Sequence, residues 1–484
     1  MIHDQDVRDA IITLDSPGIY SVEAEAGGGK TTLCLDFMEF NHDKRVVYVT
    51  FTNAAAYDAK EKYAQRKVQS NHVIQTFNAY CLMLLSEQNI VVPFMKEFVR
   101  AVELAGLVSG GYNDKSRYNA FLAVFKEAMV KATTLKELKQ YEKIINAVFT
   151  SKQTGTNDQY CYALQIALVY LHCKFTKRIK APLGDVLIID EAQDLDPFHL
   201  EILKMLPFET KLFVGDTKQS IYGFEDRVNV FRTPYYKTMQ YHFKLDTTFR
   251  FSQAVCDCLY GNGIIQSASN NQTQVKSYRS TNDLPAKSVI LFPTNRELID
   301  LVVDRVTRDQ PVALRQNRLS RLKTFAKNRR AFVKKFVAQK ERRNGVKSMY
   351  LYAMKLKKQN HFLWTYYHRT FDCIDDIFMF VQSGKITLHS KNTQHHPLVE
   401  TVHGFKGLEQ TYVYVARSCS PLNSPLQGDW YDKNCVYNVA LTRATGILYL
   451  PEEWVQDALL PPFTKEEVAA TWYEKTQHKR RKLK

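Results

Sequence analysis

Ala24-Glu-Ala-Gly-Gly-Gly-Lys-Thr-Thr32 lies between a short apolar run and a segment patterned as a helix. The order strand, glycine loop, helix wraps backbone N–H groups around phosphate oxygens, and the helix N-terminus adds positive potential. Gly27, Gly28 and Gly29 would form that cradle. Lys30 can reach the β- and γ-phosphates, and Thr31, followed by Thr32, can ligate Mg²⁺. The first glycine of the generic pattern is Ala24 here. Such a loop predicts an α/β fold around a parallel sheet buried on both faces.

Working outward, residues 18–24, 45–51, 185–190 and 211–215 are short, β-branched or aromatic, and end in turn residues, as buried strands do. A second set follows at 288–293, 398–402, 412–416 and 446–450. Between the sets helical spacing dominates twice. In residues 86–182, Met95, Phe98, Val99 and Val102 make one stripe, and Leu164, Ala167, Leu168 and Leu171 make another. In residues 301–396 the most basic stretch of the chain, 315–358, holds 16 Lys or Arg against one acid, Glu341. Leu319, Leu322, Phe325, Phe332 and Phe336 fall on one helix face there, which predicts amphipathic basic helices.

The expected organisation is an α/β domain in two parts, residues 1–85 and 183–245, around a helical insertion, 86–182. A second α/β domain, residues 246–300 and 397–455, surrounds a basic insertion, 301–396. A basic tail, 456–484, follows.

The 484 residues are 45% hydrophobic and 24% charged, which suits a folded chain of about three domains. A formal net charge of +16 favours anionic partners, nucleic acid or an anionic membrane surface, over a merely solvated basic surface. No run of 18 apolar residues occurs, so no transmembrane helix is expected. The start, Met1-Ile-His-Asp-Gln-Asp, is acidic and lacks a long apolar core, so no signal peptide is expected either. The nine cysteines are scattered without paired zinc spacing and read as reduced thiols, with no structural metal.

Leu187-Ile-Ile-Asp190-Glu191-Ala-Gln-Asp194 is an apolar strand ending in carboxylates. Asp190 is suited to hold Mg²⁺ through water, and Glu191 to orient and deprotonate an attacking water. A solvated strand end is the ordinary reading of such a pair, but a phosphate loop upstream favours the chemical one.

These carboxylates, with Gly215-Asp-Thr-Lys-Gln219-Ser-Ile-Tyr222, resemble superfamily 1 DNA helicases of the UvrD/Rep type. The resemblance continues in order. Tyr48-Val-Thr-Phe51-Thr-Asn-Ala-Ala-Ala56 resembles motif Ia of that family, and Gln75-Thr76-Phe77-Asn78 resembles Ib, with Asn78 where His is usual. Leu245-Asp-Thr-Thr-Phe249-Arg250 resembles motif IV, Thr401-Val-His403-Gly-Phe-Lys406-Gly407-Leu408-Glu409 motif V, and Tyr437-Asn-Val-Ala-Leu-Thr442-Arg443-Ala444 motif VI. Val22-Glu-Ala, Tyr48-Val-Thr-Phe and Phe213-Val-Gly-Asp are similar to the F-box DNA helicase branch. An F-box is not expected, since the phosphate loop begins near residue 24.

The resemblance implies two RecA-like P-loop NTPase motor domains with inserted, mainly helical subdomains, fuelled by ATP with Mg²⁺. It implies that Gln219 senses the γ-phosphate and that Arg250 and Arg443 are arginine fingers. Phe249 would stack on adenine, Glu409 beside Gly407 would contact the ribose, and Gln5 would read the adenine. Phe51, Thr52, Asn53, Thr76, Phe77, Tyr222, Phe224 and His403 would line a single strand of DNA, where aromatic faces suit any base. For each aromatic, core packing is the competing assignment. Glu225 and Pro293 stand where the family often has basic residues.

The activity implied is ATP-driven 3′→5′ translocation on single-stranded DNA coupled to unwinding at ss/ds junctions, by a monomer with no membrane partner. A translocase that displaces proteins without efficient unwinding, a superfamily 1 RNA helicase, and a non-catalytic scaffold compete with it. The basic stretch is expected to contact duplex phosphates. The closing His478-Lys-Arg-Arg-Lys-Leu-Lys484 reads as a nuclear import signal on an otherwise intracellular protein, cellular or virus-encoded, or as a solvated tail.

Overall fold

The computed structural model describes residues 4–89 (except 69), 124–141, 162–320 (except 177–178, 180–183, 224–226, 261–265, 269–271, 281–283, 285–286 and 317), 379, and 382–454 (except 390–395, 427–428 and 453). Six strands build the first sheet: β1 (Gly18–Ala24), β2 (Val46–Thr50), β3 (Val73–Thr76), β4 (Val186–Ile189), β5 (Thr210–Gly215) and β6 (Tyr241–Leu245). Their order is β3-β2-β4-β5-β1-β6, with every pair parallel. All five residues of β2 are buried. Val46 and Tyr48 pack on one face with α1 (Asp4–Ile12), α2 (Lys30–Phe40) and α3 (Asn53–Ala64). Val47 and Val49 pack on the other face with α4 (Phe77–Glu87), α5 (Tyr162–Leu171) and α6 (Pro197–Met205). Strands covered on both sides are apolar throughout, which is why they were legible as runs.

A short parallel pair, β7 (Thr247–Thr248) and β8 (Gln266–Ser267), leads to the second sheet. That sheet comprises β9 (Gln274–Tyr278), β10 (Ser288–Phe292), β11 (Val312–Leu314), β12 (Ile386–Leu388), β13 (Leu398–Thr401), β14 (Gln410–Val415) and β15 (Ala444–Pro451). The order is β12-β11-β13-β10-β14-β15-β9, again all parallel. Its helices are α7 (Gln253–Tyr260), α8 (Asn295–Thr307), α9 (Val402–Phe405) and α10 (Trp430–Leu441). Val289, Ile290, Leu291, Val413, Val415 and Leu448 form one core with them, each contributing about 1.5–3 kcal/mol by leaving water. Both sheets are RecA-like α/β units, as expected.

The eight anticipated strands are present within a few residues. Seven others carried no clear signal, β7 and β8 being only two residues each. β6 and β9 are edge strands with mostly half-buried or exposed residues, β3 is an edge strand of four, and β11 and β12 have three each. In α5, all residues from Ile166 to Leu171 are buried, so the stripe read from the sequence is one side of a helix enclosed in the first core. Met95, Phe98, Val99 and Val102 lie outside the described residues, as do the basic stretch beyond residue 320 and the C-terminal tail.

Two arginines at the start of the basic stretch are engaged internally. Arg318 donates to Glu400 Oε1, to Asn295 Oδ1 at 2.6 Å and to Thr401 Oγ1 at 2.8 Å, while Arg315 donates to the Gly404 carbonyl. They brace the turn into α9, Arg318 buried and Arg315 half-buried. Among the described residues no helix is long and apolar enough to cross a membrane.

Candidate active site between the two sheets

β1 ends at Ala24, and the chain turns through Gly27 and Gly29, both at φ +72°, before α2 starts at Lys30. Gly27 is needed for contact as well as conformation, because a Cβ there would sit 2.3 Å from Cβ of Arg250. The segment after β6 is thus packed on the loop. Phe249 N donates to the Gly27 carbonyl at 2.9 Å, and Thr248 Oγ1 to the Ala26 carbonyl at 2.8 Å. Lys30 Nζ donates to the Ala24 and Glu25 carbonyls at 3.0 and 3.1 Å and lies 3.7 Å from Asp216 Oδ2. Thr31 is half-buried at the start of α2, and Thr32 is exposed.

β4 delivers Asp190 beside this loop. Its N donates to the Val49 carbonyl at 3.0 Å, its Oδ1 accepts Glu191 N at 2.9 Å, and its Oδ2 accepts the Tyr48 hydroxyl. Glu191 stands at φ +57°, a left-handed conformation rare outside glycine and common where a site demands an orientation. Burial and the Glu191 charge push the Asp190 carboxyl up to about 6. Burial would raise Glu191 too, but Lys406 and Lys30, with the Gln193 side-chain bond, hold it below its ordinary value. The two neighbouring carboxylates are thus driven apart, Asp190 upward and Glu191 downward. Thr31 and Asp190 offer hard oxygen donors of the kind Mg²⁺ takes, and among the described residues no Lys or Arg forms a salt bridge with Asp190. The donor set therefore fits the ion.

The second sheet contributes the remaining groups. Arg443, 1% exposed, donates Nη2 to Gln219 Oε1 at 3.2 Å and is lowered to about 9 by burial, with Arg250 adding repulsion. Gln219 also donates to Asp216 Oδ2 at 2.6 Å. Arg250 Nε pairs with Glu409 Oε1 at 2.6 Å. Gly407 is at φ +80° and open to space. Phe249 is 50% exposed. Lys30, Asp190, Glu191, Gln219, Arg250 and Arg443 thus gather where the two domains meet.

Gln5 is not among them. It lies on the exposed side of α1 and donates to Asp9 Oδ1 at 2.8 Å. Arg8, one turn on, is buried, donates to the Gly28 carbonyl and lies 5.1 Å over the Phe249 ring. The sequence offered no signal for Arg8, since an arginine on a polar helix reads as solvent-facing. Tyr48 and Lys406 were also missed. Lys406 donates to Asp194 Oδ2 and to the Gln219 carbonyl at 2.7 Å, joining the two domains.

The residues expected to line a DNA strand are placed as follows. Phe51 is half-buried, while Phe77, at 1% exposure, is core and offers no face to a base. His199, unforeseen, lies parallel to Phe51 with centroids 5.8 Å apart. The Thr52 and Thr76 hydroxyls cap α3 and α4 by accepting Ala55 N and Ala79 N, each at 3.2 Å. Asn53 is exposed. Across the cleft the Tyr222 hydroxyl donates to the His403 carbonyl at 3.4 Å, and His403 Nε2 bonds the Ile221 carbonyl at 2.9 Å. Phe224 lies outside the described residues.

Residues 5–229 match the UvrD/REP helicase N-terminal domain, and residues 158–303 match the viral superfamily 1 RNA helicase core domain. A protein of Mycoplasma capricolum subsp. capricolum, named "Probable DNA helicase II homolog", is 22% identical over 334 residues, covering 61% of this chain and 44% of that protein. Two solved structures of the arterivirus nonstructural protein 10 helicase, one with DNA, align with TM-scores of 0.36 and 0.37. Their identities are 12% and 11%, over 93% and 94% of this chain and 64% of each of theirs. The chain therefore spans less than half the length of that curated relative and under two thirds of the solved chains. The fold assignment rests on the sheet orders themselves.

Proposed function

We propose that this chain, a member of the UvrD-like superfamily 1 helicases, is an ATP-driven motor that moves 3′→5′ along single-stranded DNA and separates duplex strands. The observation that carries this is the cleft itself, where two arginines from the second domain face a phosphate loop and a carboxylate pair from the first.

The residues divide the work as follows. The loop amides and Lys30 bind the nucleotide phosphates, Lys30 exchanging the Ala24 and Glu25 carbonyls for phosphate oxygens. Thr31 and Asp190 would hold Mg²⁺, which supplies charge neutralisation on the β- and γ-oxygens when bound. Glu191, held ionised, accepts a proton from the water that attacks the γ-phosphorus. Arg443 and Arg250 stabilise the charge that grows on the transferring group. Gln219 bonds to Arg443, so loss of the γ-phosphate changes a contact that spans both domains. Phe51, Tyr222 and His403 flank the route a strand would take, and alternate closing and opening of the cleft would step it along. We place the chain at work as a monomer at ss/ds junctions, with residues 321–358 of the basic stretch supplying phosphate contact.

Purified Lys30→Ala and Arg443→Ala variants should each lose DNA-stimulated ATP hydrolysis, by about 10³-fold or more for the arginine. Substantial activity in both would sink the proposal. Duplexes with 3′ or 5′ tails test direction and unwinding, and streptavidin displacement detects translocation without unwinding. The match of residues 158–303 favours a second reading, action on RNA. Greater stimulation of the ATPase by RNA than by DNA oligomers of equal length would select it.

A further inference from the structure

The phosphate loop contains a carboxylate that the activity above does not use. Glu25, second residue of the loop, is buried, and its Oε1 accepts the ammonium of Lys218, each side chain being only 6% exposed. Its Oε2 accepts no hydrogen bond among the described residues. The Glu25 backbone is part of the cradle: its carbonyl accepts Gly28 N at 2.8 Å and Lys30 Nζ at 3.1 Å. A fixed negative charge in a loop built to receive phosphate opposes the ligand unless a cation cancels it.

Lys218 supplies that cation from a second functional element. It sits in the turn Thr217–Gln219 next to the residue that bonds Arg443, and its carbonyl accepts Asn438 Nδ2 of α10 at 3.0 Å. The pair therefore fastens the phosphate loop to the turn on which the second domain rests. Asp216 and Lys244, of opposite sign, also act on Glu25, and Glu23 on the preceding strand interacts with it as well.

We propose that Lys218 and Glu25 form a neutral brace, Lys218 being a positioning residue that cancels the loop's own charge and sets the loop and the Gln219 turn in register for nucleotide phosphates. This rests on the reading of the cleft as a nucleotide site. Removing one partner of a buried pair leaves an uncompensated charge, whereas replacing both with neutral groups is tolerated.

The test is equilibrium binding of fluorescent ATP, ADP and AMP analogues to full-length wild type, Lys218→Met, Glu25→Gln and the double variant. Lys218→Met should weaken ATP binding about tenfold or more, with the loss shrinking from ATP to ADP to AMP, because the opposing charge acts on phosphate charge. The double variant should recover to within about threefold of wild type. Equal losses for all three nucleotides, or a double variant no better than Lys218→Met, would overturn the brace. Should Lys218→Met not fold, the double variant decides: wild-type-like binding supports the brace, and loss of binding refutes it. Wild type that binds no nucleotide would refute the underlying site instead.

Discussion

Tyr48 shows how a single hydroxyl can matter at a site where the sequence suggests only a strand. Its ring is buried in the face of the first sheet that carries α2, and its hydroxyl donates to Asp190 Oδ2 from the neighbouring strand. The bond exists because β2 and β4 are adjacent and parallel, pairing Tyr48 with Ile188 two residues before Asp190. Replacing Tyr48 by Phe keeps the ring and leaves a buried carboxylate oxygen without its donor. A loss of about 1–3 kcal/mol is expected, read as a lower urea midpoint. An unchanged midpoint would mean that Asp190 does not depend on this donor. Phe77 teaches the reverse: its motif position suggested a base contact, yet it faces the core on the same helix whose cap is Thr76. Residue type and spacing suggest chemistry at Lys30 and Asp190, whereas Arg443 is suggested by resemblance alone. They cannot mark which way an aromatic turns.

At the scale of elements, α1 is the instructive case. Its sequence shows no residue obviously suited to the cleft apart from Gln5, and Gln5 is spent on Asp9 at the surface. What docks the helix is Arg8, through the Gly28 carbonyl and the Phe249 ring, along with Ile11 in the core. Arg8→Ala should therefore destabilise the first domain by about 1.5–3 kcal/mol, as expected for a buried charged donor. Gln5→Ala should stay within about 0.5 kcal/mol of wild type. Denaturation of the two variants side by side checks this, and equal effects would refute the assignment. The helix caps repeat one simple arrangement. Thr52, Thr76, Thr294, Thr401 and Asp429 all precede helices and accept an amide from the first turn.

For the whole molecule, the domain junction and the first domain each hold a histidine kept neutral. Burial lowers His199 to about 4, assisted by Lys126 and Arg227 and opposed by Asp196. Burial lowers His403 to about 4, assisted by Lys406 and opposed by its bond to Ile221. In the unfolded chain a histidine takes a proton below about 6.5, while these two stay neutral until about 4. Their contribution to stability is thus complete above pH 6.5 and is lost as pH falls toward 4, at no more than about 1.4 kcal/mol per pH unit for each. Asp190 and Asp194, raised to about 6, act in the opposite sense, so the histidine share is read by difference: in urea unfolding at pH 7, 5.5 and 4.5 the wild type should lose stability relative to His199→Gln by one proton's share. A slope untouched by that substitution would contradict the assignment.

Read alone, the chain discloses the two parallel sheets, their principal strands and the residues of the proposed nucleotide site. Strands buried on both faces must be continuously apolar, and a phosphate loop admits few alternatives to glycine, lysine and threonine. Tertiary structure alone decided what those residues touch: Arg443 on Gln219, Arg250 on Glu409, Lys406 on Asp194 and Lys218 on Glu25. It also decided that Arg8 rather than Gln5 meets the loop, and that Arg315 and Arg318 bond the residues around α9. Each of these partners is distant in sequence or turned by a local conformation, and pairing across a fold leaves no periodic trace in the chain.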